Sequence, residues 1–356
     1  GLPALTVALE LARRSKRVSV LGADPEEPPA GLGLVVLGPG RPYARVVSEI
    51  GRDGARAVWS AGRENLDRLR AFLEETRHDC GYDPRGSFLL AGSRGEAESL
   101  ARGENMLRED EFPGEFLDHY MLETHFDVSG YPGAYWAADG AELDVTRLSP
   151  AVAAAARTAG ARFHPARVRA LEGGGRGVEV ETEEGPIRAA TAVVATECDA
   201  AELVADLAPA LRAAAGARVR VPLEPGASVP TTARAAGGRV AWQVVGESLV
   251  LAATGVVSPG DDRAGDGELA AQLDGLPVRR DEAQRWTARG ETPVDGLPLV
   301  GMLPGRPLAL ACGFGALAPS LAFAAAGWVA DALSGGTDPT PAPFRATRIG
   351  GGATSV

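Results

Sequence analysis

Apolar residues along the chain follow helical spacing in some stretches and strand-like runs in others. In residues 2–14, Leu2, Leu5, Leu9 and Ala12 fall on one side of a helix. A Ser-Lys-Arg break follows, and the apolar run 18–21 predicts a short buried strand. Residues 25–29 hold Glu26 and Glu27 between prolines and predict a loop; 31–40 are glycine-rich around a short apolar centre. Helical spacing returns over 48–75, where Ile50, Ala57, Leu66, Leu69 and Phe72 keep phase. A strand is predicted at 87–91 and a helix at 96–109. The alanine-rich stretch 144–159 predicts a helix with Asp144 as its N-cap. Strand patterns then dominate at 162–171, 178–182 and 187–196, with turns at 173–175 and 184–185. Residues 239–254 predict a hairpin about Gly246 and Glu247, 308–312 a buried strand, and 318–333 an apolar helix. The Pro-, Gly- and Thr-rich stretch after Gly335 predicts a loose tail.

Helix–strand units therefore stand at the beginning, middle and end, with mixed α+β segments between them. This order predicts an α/β protein whose nucleotide-binding domain is assembled from separated segments, with a second domain built from the insertions. A length of 356 residues suits two domains, and 45% hydrophobic residues suffice for a sizeable core. The net charge of -11 argues against a nucleic-acid partner, because such a surface needs clustered Lys and Arg. Cys80, Cys198 and Cys312 are odd in number and lack C-x-x-C spacing, so no disulfide framework is expected and a reducing cytoplasm fits. His119 and His125 are the only histidines close enough to suggest a metal site, and their spacing fits no standard ligand pattern, so none is expected. No apolar run is long enough to predict a membrane span, and the first residues predict a helix already under way instead of a signal peptide.

The chemistry begins at Gly1-Leu2-Pro3-Ala4, which opens the first helix. In the dinucleotide pattern G-x-G-x-x-G/A, the second Gly lets the backbone approach a pyrophosphate and the third position allows close helix–strand packing. Gly1 fits the second Gly and Ala4 the third, which aims free N–H groups and the positive end of the helix dipole at phosphate. A ribose-binding acid is expected after the next strand. Gly22 stands there, and Asp24 lies two residues on.

The chain resembles the D-amino-acid-oxidase-like FAD family, which includes glycine oxidases, D-amino-acid dehydrogenases and γ-glutamylputrescine oxidoreductases. Leu5 to Arg14 looks like that family's first helix, and Cys80-Gly81-Tyr82 with Arg85 to Ala91 is similar to its early substrate-domain strand. Asp139-Gly140-Ala141-Glu142-Leu143-Asp144 resembles the return to the FAD domain, and Ala192-Val193-Val194-Ala195-Thr196 the V-V-x-A-T strand. Most specific are Asp295-Gly296-Leu297-Pro298-Leu299-Val300-Gly301, similar to D-G-x-P-x-x-G, and Gly313-Phe314-Gly315 running into the last helix.

The resemblance implies a Rossmann-like FAD domain (1–42, 140–205 and 291–340), an inserted α+β substrate domain with an antiparallel sheet (43–139 and 206–290), and a loose tail at 341–356. It implies that Gly1, Leu2 and Ala4 lie near the pyrophosphate, Val168 beside the adenine half, and Ala195 and Thr196 near the dinucleotide. Asp24 is the remaining candidate for the ribose. Gly313, Phe314, Gly315, Ala316 and Leu317 would lie under the flavin ring. The implied reaction is oxidation of a C–N bond in a small amine or amino acid, with hydride passing to flavin N5 and oxygen or a quinone as electron acceptor. Arg289 is the candidate to hold a substrate carboxylate by paired hydrogen bonds, and Trp242 the candidate pocket wall.

Four features depart from the family pattern. The chain opens inside the fingerprint, so the first strand and first Gly are expected before it. Gly22 replaces the ribose acid, Ala30-Gly31-Leu32-Gly33 is shorter than the family's flavin-covering stretch, and Ala316-Leu317-Ala318-Pro319 replaces a G-H-G. They leave, as alternative, a truncated or degenerate relative acting through binding or assembly. An NAD(P)-dependent enzyme is the third reading.

Overall fold

The computed structural model describes residues 1–349 apart from 23–30, 127, 175–176, 228, 230–232, 236–239, 254, 257–264, 275 and 336. Asp24 and the Glu26–Glu27 pair lie outside the described residues.

The first helix, Leu2–Arg13, is buried on nearly every side rather than along one stripe. It packs between the helices Val145–Thr158 and Ala318–Ala332, so apolar or small residues are needed all round. Thr6, on this helix, satisfies its hydroxyl against Leu2 O, Pro3 O and, across the interface, Ala322 O at 3.1 Å. Ala318–Ala332 is equally enclosed, and a buried amide from another helix secures its first turn. Asn65 donates to Pro319 O at 2.9 Å and accepts from the backbone N–H of Phe323 at 2.9 Å and of Ala324 at 3.3 Å. Asn65 lies on the long helix Tyr43–Thr76, which starts earlier than its apolar spacing indicates. Gly51 breaks it at φ 76°, a conformation glycine adopts without strain, so a short first helix precedes the predicted one. Asp144 caps Val145–Thr158 as expected, accepting from Thr146 N at 2.9 Å.

Outside the large sheet, the parallel strand pairs form two pieces. Ser19–Leu21 pairs with Arg162–His164, and Ala192–Val194 pairs with Leu308–Cys312, which carries Leu299–Met302 antiparallel on its other edge. A nine-stranded sheet, antiparallel except where Ala233–Ala235 meets Ser87–Leu90, makes the second layer, as the resemblance implies. Its centre is the hairpin Val240–Val245 and Ser248–Ala253 about Gly246, joined to the strand Leu211–Pro222 and through it to Gln284–Pro293. The last two strands escape the sequence pattern because their alanines, glycines and arginines lack the β-branched alternation of a strand.

The end of the chain departs from the loose tail expected. Phe344 is fully buried with its ring 5.5 Å from that of Trp328, and Arg348 pairs with Asp295 at 2.8 Å. An aromatic anchor and a clamped arginine thus hold the tail against the Asp295 turn through its described residues.

Candidate active site

A cavity, partly open to solvent, lies between the sheet and the N-terminal ends of the two buried helices. Its floor follows from pleating. Leu211–Pro222 and Gln284–Pro293 pair without a bulge, from Leu211 opposite Pro293 to Arg220 opposite Gln284. Side chains therefore alternate strictly between the two faces. The rows Ala214/Gly290, Gly216/Ala288 and Arg218/Trp286 share one face, and the last row continues through Ala252 to Ala241. Small residues on these rows create the space, and Arg218 is the one charged side chain among the cavity-lining members of these rows.

Leu32 and Leu34 cover the floor, packing on Ala241 and Ala252. A buried glutamine fixes that cover. Gln243, on the same face as Ala241, accepts from Gly33 N and donates to Leu143 O at 3.1 Å. Gly33 is required there, since a Cβ would fall 1.7 Å from Leu143 O.

Arg218 is 8% exposed, and its Nη1 donates to Ala217 O at 3.1 Å and Ala253 O at 2.5 Å. Burial pushes its guanidinium down to about 10. Arg289 borders the same cavity but is exposed and lies in the row of Ala215, which alternates with the row of Arg218. Trp242 sits in the row of Leu251, on the face opposite Ala241. It is 5% exposed within an apolar cluster that includes Leu90 and Val219, while its neighbour Ala241 lines the cavity.

One end of the cavity is the start of helix Leu2–Arg13. Gly1 caps it, and Gly1 O accepts from Ala4 N at 3.1 Å and Leu5 N at 3.3 Å. Pro3 has no N–H, so this helix end offers fewer donors than most. Glu197 projects its carboxylate over Gly1, where a Cβ would lie 1.7 Å from Glu197 Oε1. The turn after Ala192–Val194 brings it there: Thr196 Oγ1 bonds to Cys198 O and accepts from Cys198 N at 3.2 Å, and Ala195 packs on the core. Cys198 itself is pushed up to about 11 by burial, which keeps it a thiol. Glu291, also at the cavity, is turned to the start of helix Ala200–Leu203, accepting from Ala200 N at 2.8 Å.

The other end is the turn into the last helix. Gly313 has φ +73°, and a Cβ there would lie 2.6 Å from Pro293 Cγ. Gly315 and Ala316 line the cavity, while Phe314 and Leu317 are buried in the core cluster. Leu2 lines the cavity, Ala4 is half-buried on the first helix, and Val168 begins the strand Val168–Gly174. Gly22 ends its strand with φ +70° and donates to His164 O at 3.1 Å. Sequence reasoning missed Arg218, Gln243, Ser149 and Glu197. The Ala/Gly-rich run 213–217 was the available signal, since small residues in a strand leave room for a close neighbour.

Among the described residues, no group of three or more His, Cys, Asp or Glu side chains could hold a metal, and no helix is long and apolar enough to cross a membrane. The model of the DAO family, described as FAD dependent oxidoreductase, matches residues 1–332. Among solved structures, glycine oxidase from Geobacillus kaustophilus superposes with a TM-score of 0.78 at 22% identity, covering 98% of this chain and 96% of that one. For L-proline dehydrogenase from P. horikoshii the TM-score is 0.76 at 17% identity, with coverages of 97% and 95%. Iminodiacetate oxidase (IdaA) from Chelativorans sp. BNC1 gives 0.74 at 19% identity, with 97% and 96% covered. At these identities the structures establish the fold. No curated protein matches the chain.

Proposed function

The chain belongs to the DAO family of FAD-dependent oxidoreductases, and from that membership we propose that it oxidises the C–N bond of an amino acid or amine. FAD, when bound, would supply the two-electron chemistry, with its N5 as the proposed acceptor of hydride from the carbon next to a neutral amine. Oxygen or a quinone is the proposed final acceptor. The segments 1–42, 140–205 and 291–340 are proposed to hold the cofactor, and 43–139 with 206–290 the substrate.

Two features support the fit to FAD. Gly31 lines the cavity with open space where a Cβ would stand. Two helices begin at its walls, and helix N-termini favour negative charge. In this reading Gly1, Leu2 and Ala4 face the diphosphate, with Ala195 and Thr196 alongside and Val168 near the adenine. Gly315 and Ala316 face the flavin, and Gly313, Phe314 and Leu317 shape their turn.

The chain's own residues bind and orient the substrate. Arg218 holds a carboxylate by charge-assisted hydrogen bonds, and its anchors on Ala217 O and Ala253 O fix its direction. Arg289 adds positive charge at the rim and draws anions inward. Leu32 and Leu34 exclude water over the floor. The observation that carries this reading is a buried guanidinium on a floor otherwise made of alanine and glycine.

The test is spectroscopic. Purified protein should show a flavin spectrum, and anaerobic addition of amino acids of either hand, glycine, sarcosine or polyamine conjugates should bleach it. A protein that binds FAD but is bleached by none of these removes the proposed reaction. A protein that binds no flavin supports the binding-or-assembly alternative.

A further inference from the structure

Ser149 is the residue on which the cavity says most beyond the reaction. It lies on helix Val145–Thr158, is 4% exposed, and lines the cavity that Leu2 and Gly31 also line. Its hydroxyl has no hydrogen-bond partner among the described residues. Among the described residues the only other buried side-chain polar atom in that state is Thr340 Oγ1, which lines no part of this cavity. Helical hydroxyls usually turn back onto the carbonyl four residues earlier. Thr76 does so to Phe72 O at 2.8 Å and Thr158 of the same helix to Ala154 O at 3.0 Å. Ser149 makes no such bond. A buried hydroxyl left without a partner is costly, so its place at a ligand cavity calls for an acceptor from the ligand.

The neighbouring helix end indicates which acceptor. Leu2–Arg13 packs against the helix of Ser149 and presents its positive end to the same cavity, where the Glu197 carboxylate already lies over Gly1, and the missing N–H of Pro3 leaves that end short of a donor. An anionic oxygen there would meet the helix dipole, and a hydroxyl beside it would supply the absent donor. We propose that Ser149 is a cofactor-binding residue whose hydroxyl donates a hydrogen bond to the diphosphate of FAD, taking the place of the N–H that Pro3 removes from the end of the first helix. Nothing in this depends on which amine or amino acid is oxidised.

The experiment compares wild type with Ser149→Ala, using FAD-depleted protein. Binding of FAD is followed by flavin fluorescence, binding of ADP by calorimetry, and the melting temperature of the depleted protein is recorded. Loss of the hydroxyl should raise the dissociation constants of FAD and ADP by a similar factor, about ten-fold for a bond to a charged acceptor. The depleted protein should melt at the same temperature or higher, because an unpaired buried group has been removed. Opposite signs for cofactor affinity and apo stability separate a ligand contact from a structural role. A dissociation constant for FAD within two-fold of wild type overturns the proposal. So does weaker FAD binding with ADP unaffected, which moves the contact off the diphosphate, or a parallel loss of apo stability. Failure to bleach with amines leaves all three readouts intact and counts only against the proposed reaction.

Discussion

Replacing Arg218 with methionine separates the substrate role of this guanidinium from its structural one. Methionine keeps most of the side-chain length and fills the same apolar surroundings. Burial lowers the guanidinium from its ordinary value to about 10, which corresponds to roughly 3 kcal/mol against holding the cation in the fold. The sign follows from proton binding. A base whose folded value lies below its unfolded value binds fewer protons when folded, so the penalty is complete below pH 10 and fades only as pH climbs above it toward the unfolded value. At neutral pH the variant sheds that cost. Against this, Ala217 O and Ala253 O lose a donor, at about 1–3 kcal/mol for each buried group left unpaired. The two effects nearly offset, so the melting temperature of the FAD-depleted protein should move by no more than a few degrees. Turnover should behave differently. Loss of a charge-assisted contact to a substrate carboxylate costs about 1.5–3 kcal/mol, so kcat/KM for amino acids should fall roughly 10- to 10²-fold. Amines lacking the carboxylate should change less than about three-fold, well below one interaction's worth. The assay is stopped-flow flavin reduction with matched pairs such as an amino acid and its decarboxylated amine. An equal loss for both members of the pair would refute a carboxylate role for Arg218. A large drop in melting temperature would refute the offset worked out above.

Three further outcomes follow from named contacts. Gln243→Leu should destabilise the protein by about 2–4 kcal/mol in urea unfolding, because Gly33 N and Leu143 O are both left buried and unpaired; an unchanged midpoint would show that the cover segment does not depend on this amide. Glu197→Gln removes a negative charge from the start of the first helix and should tighten FAD binding about two- to five-fold in fluorescence titration, an effect that salt diminishes. Glu142 is pushed up to about 7, first by burial and then by Asp83. An acid raised in the fold binds more protons there than when unfolded, so stability should fall as pH rises from 4.5 to 7 and then level off. Glu142→Gln should flatten that slope in urea unfolding at pH 5 and pH 8, and an identical slope would assign it to other groups.

The elements legible in the sequence are those whose burial is periodic. The hairpin about Gly246 and the capped helix after Asp144 stand where alternation, turn residues and a capping acid agree. The strands Leu211–Pro222 and Gln284–Pro293 were illegible because a cavity replaces a core on one of their faces. Alanine and glycine leave room for a ligand there, and that same choice erases the alternation by which strands are recognised. The site was hidden for a related reason. Arg289 is the sequence's candidate for the substrate carboxylate, yet position along a strand does not reveal which face a residue occupies. Only the register sets Arg218 in line with Ala252 and Ala241 over the cavity, while Arg289 falls in the alternate row. Ser149 gave no signal at all, since a serine within a helix is ordinary until its hydroxyl proves to lack the usual carbonyl partner. In this chain the fold was carried by repeated patterns of apolar residues. The candidate chemistry rests on single polar residues whose meaning depends on the face they occupy and the partner they lack.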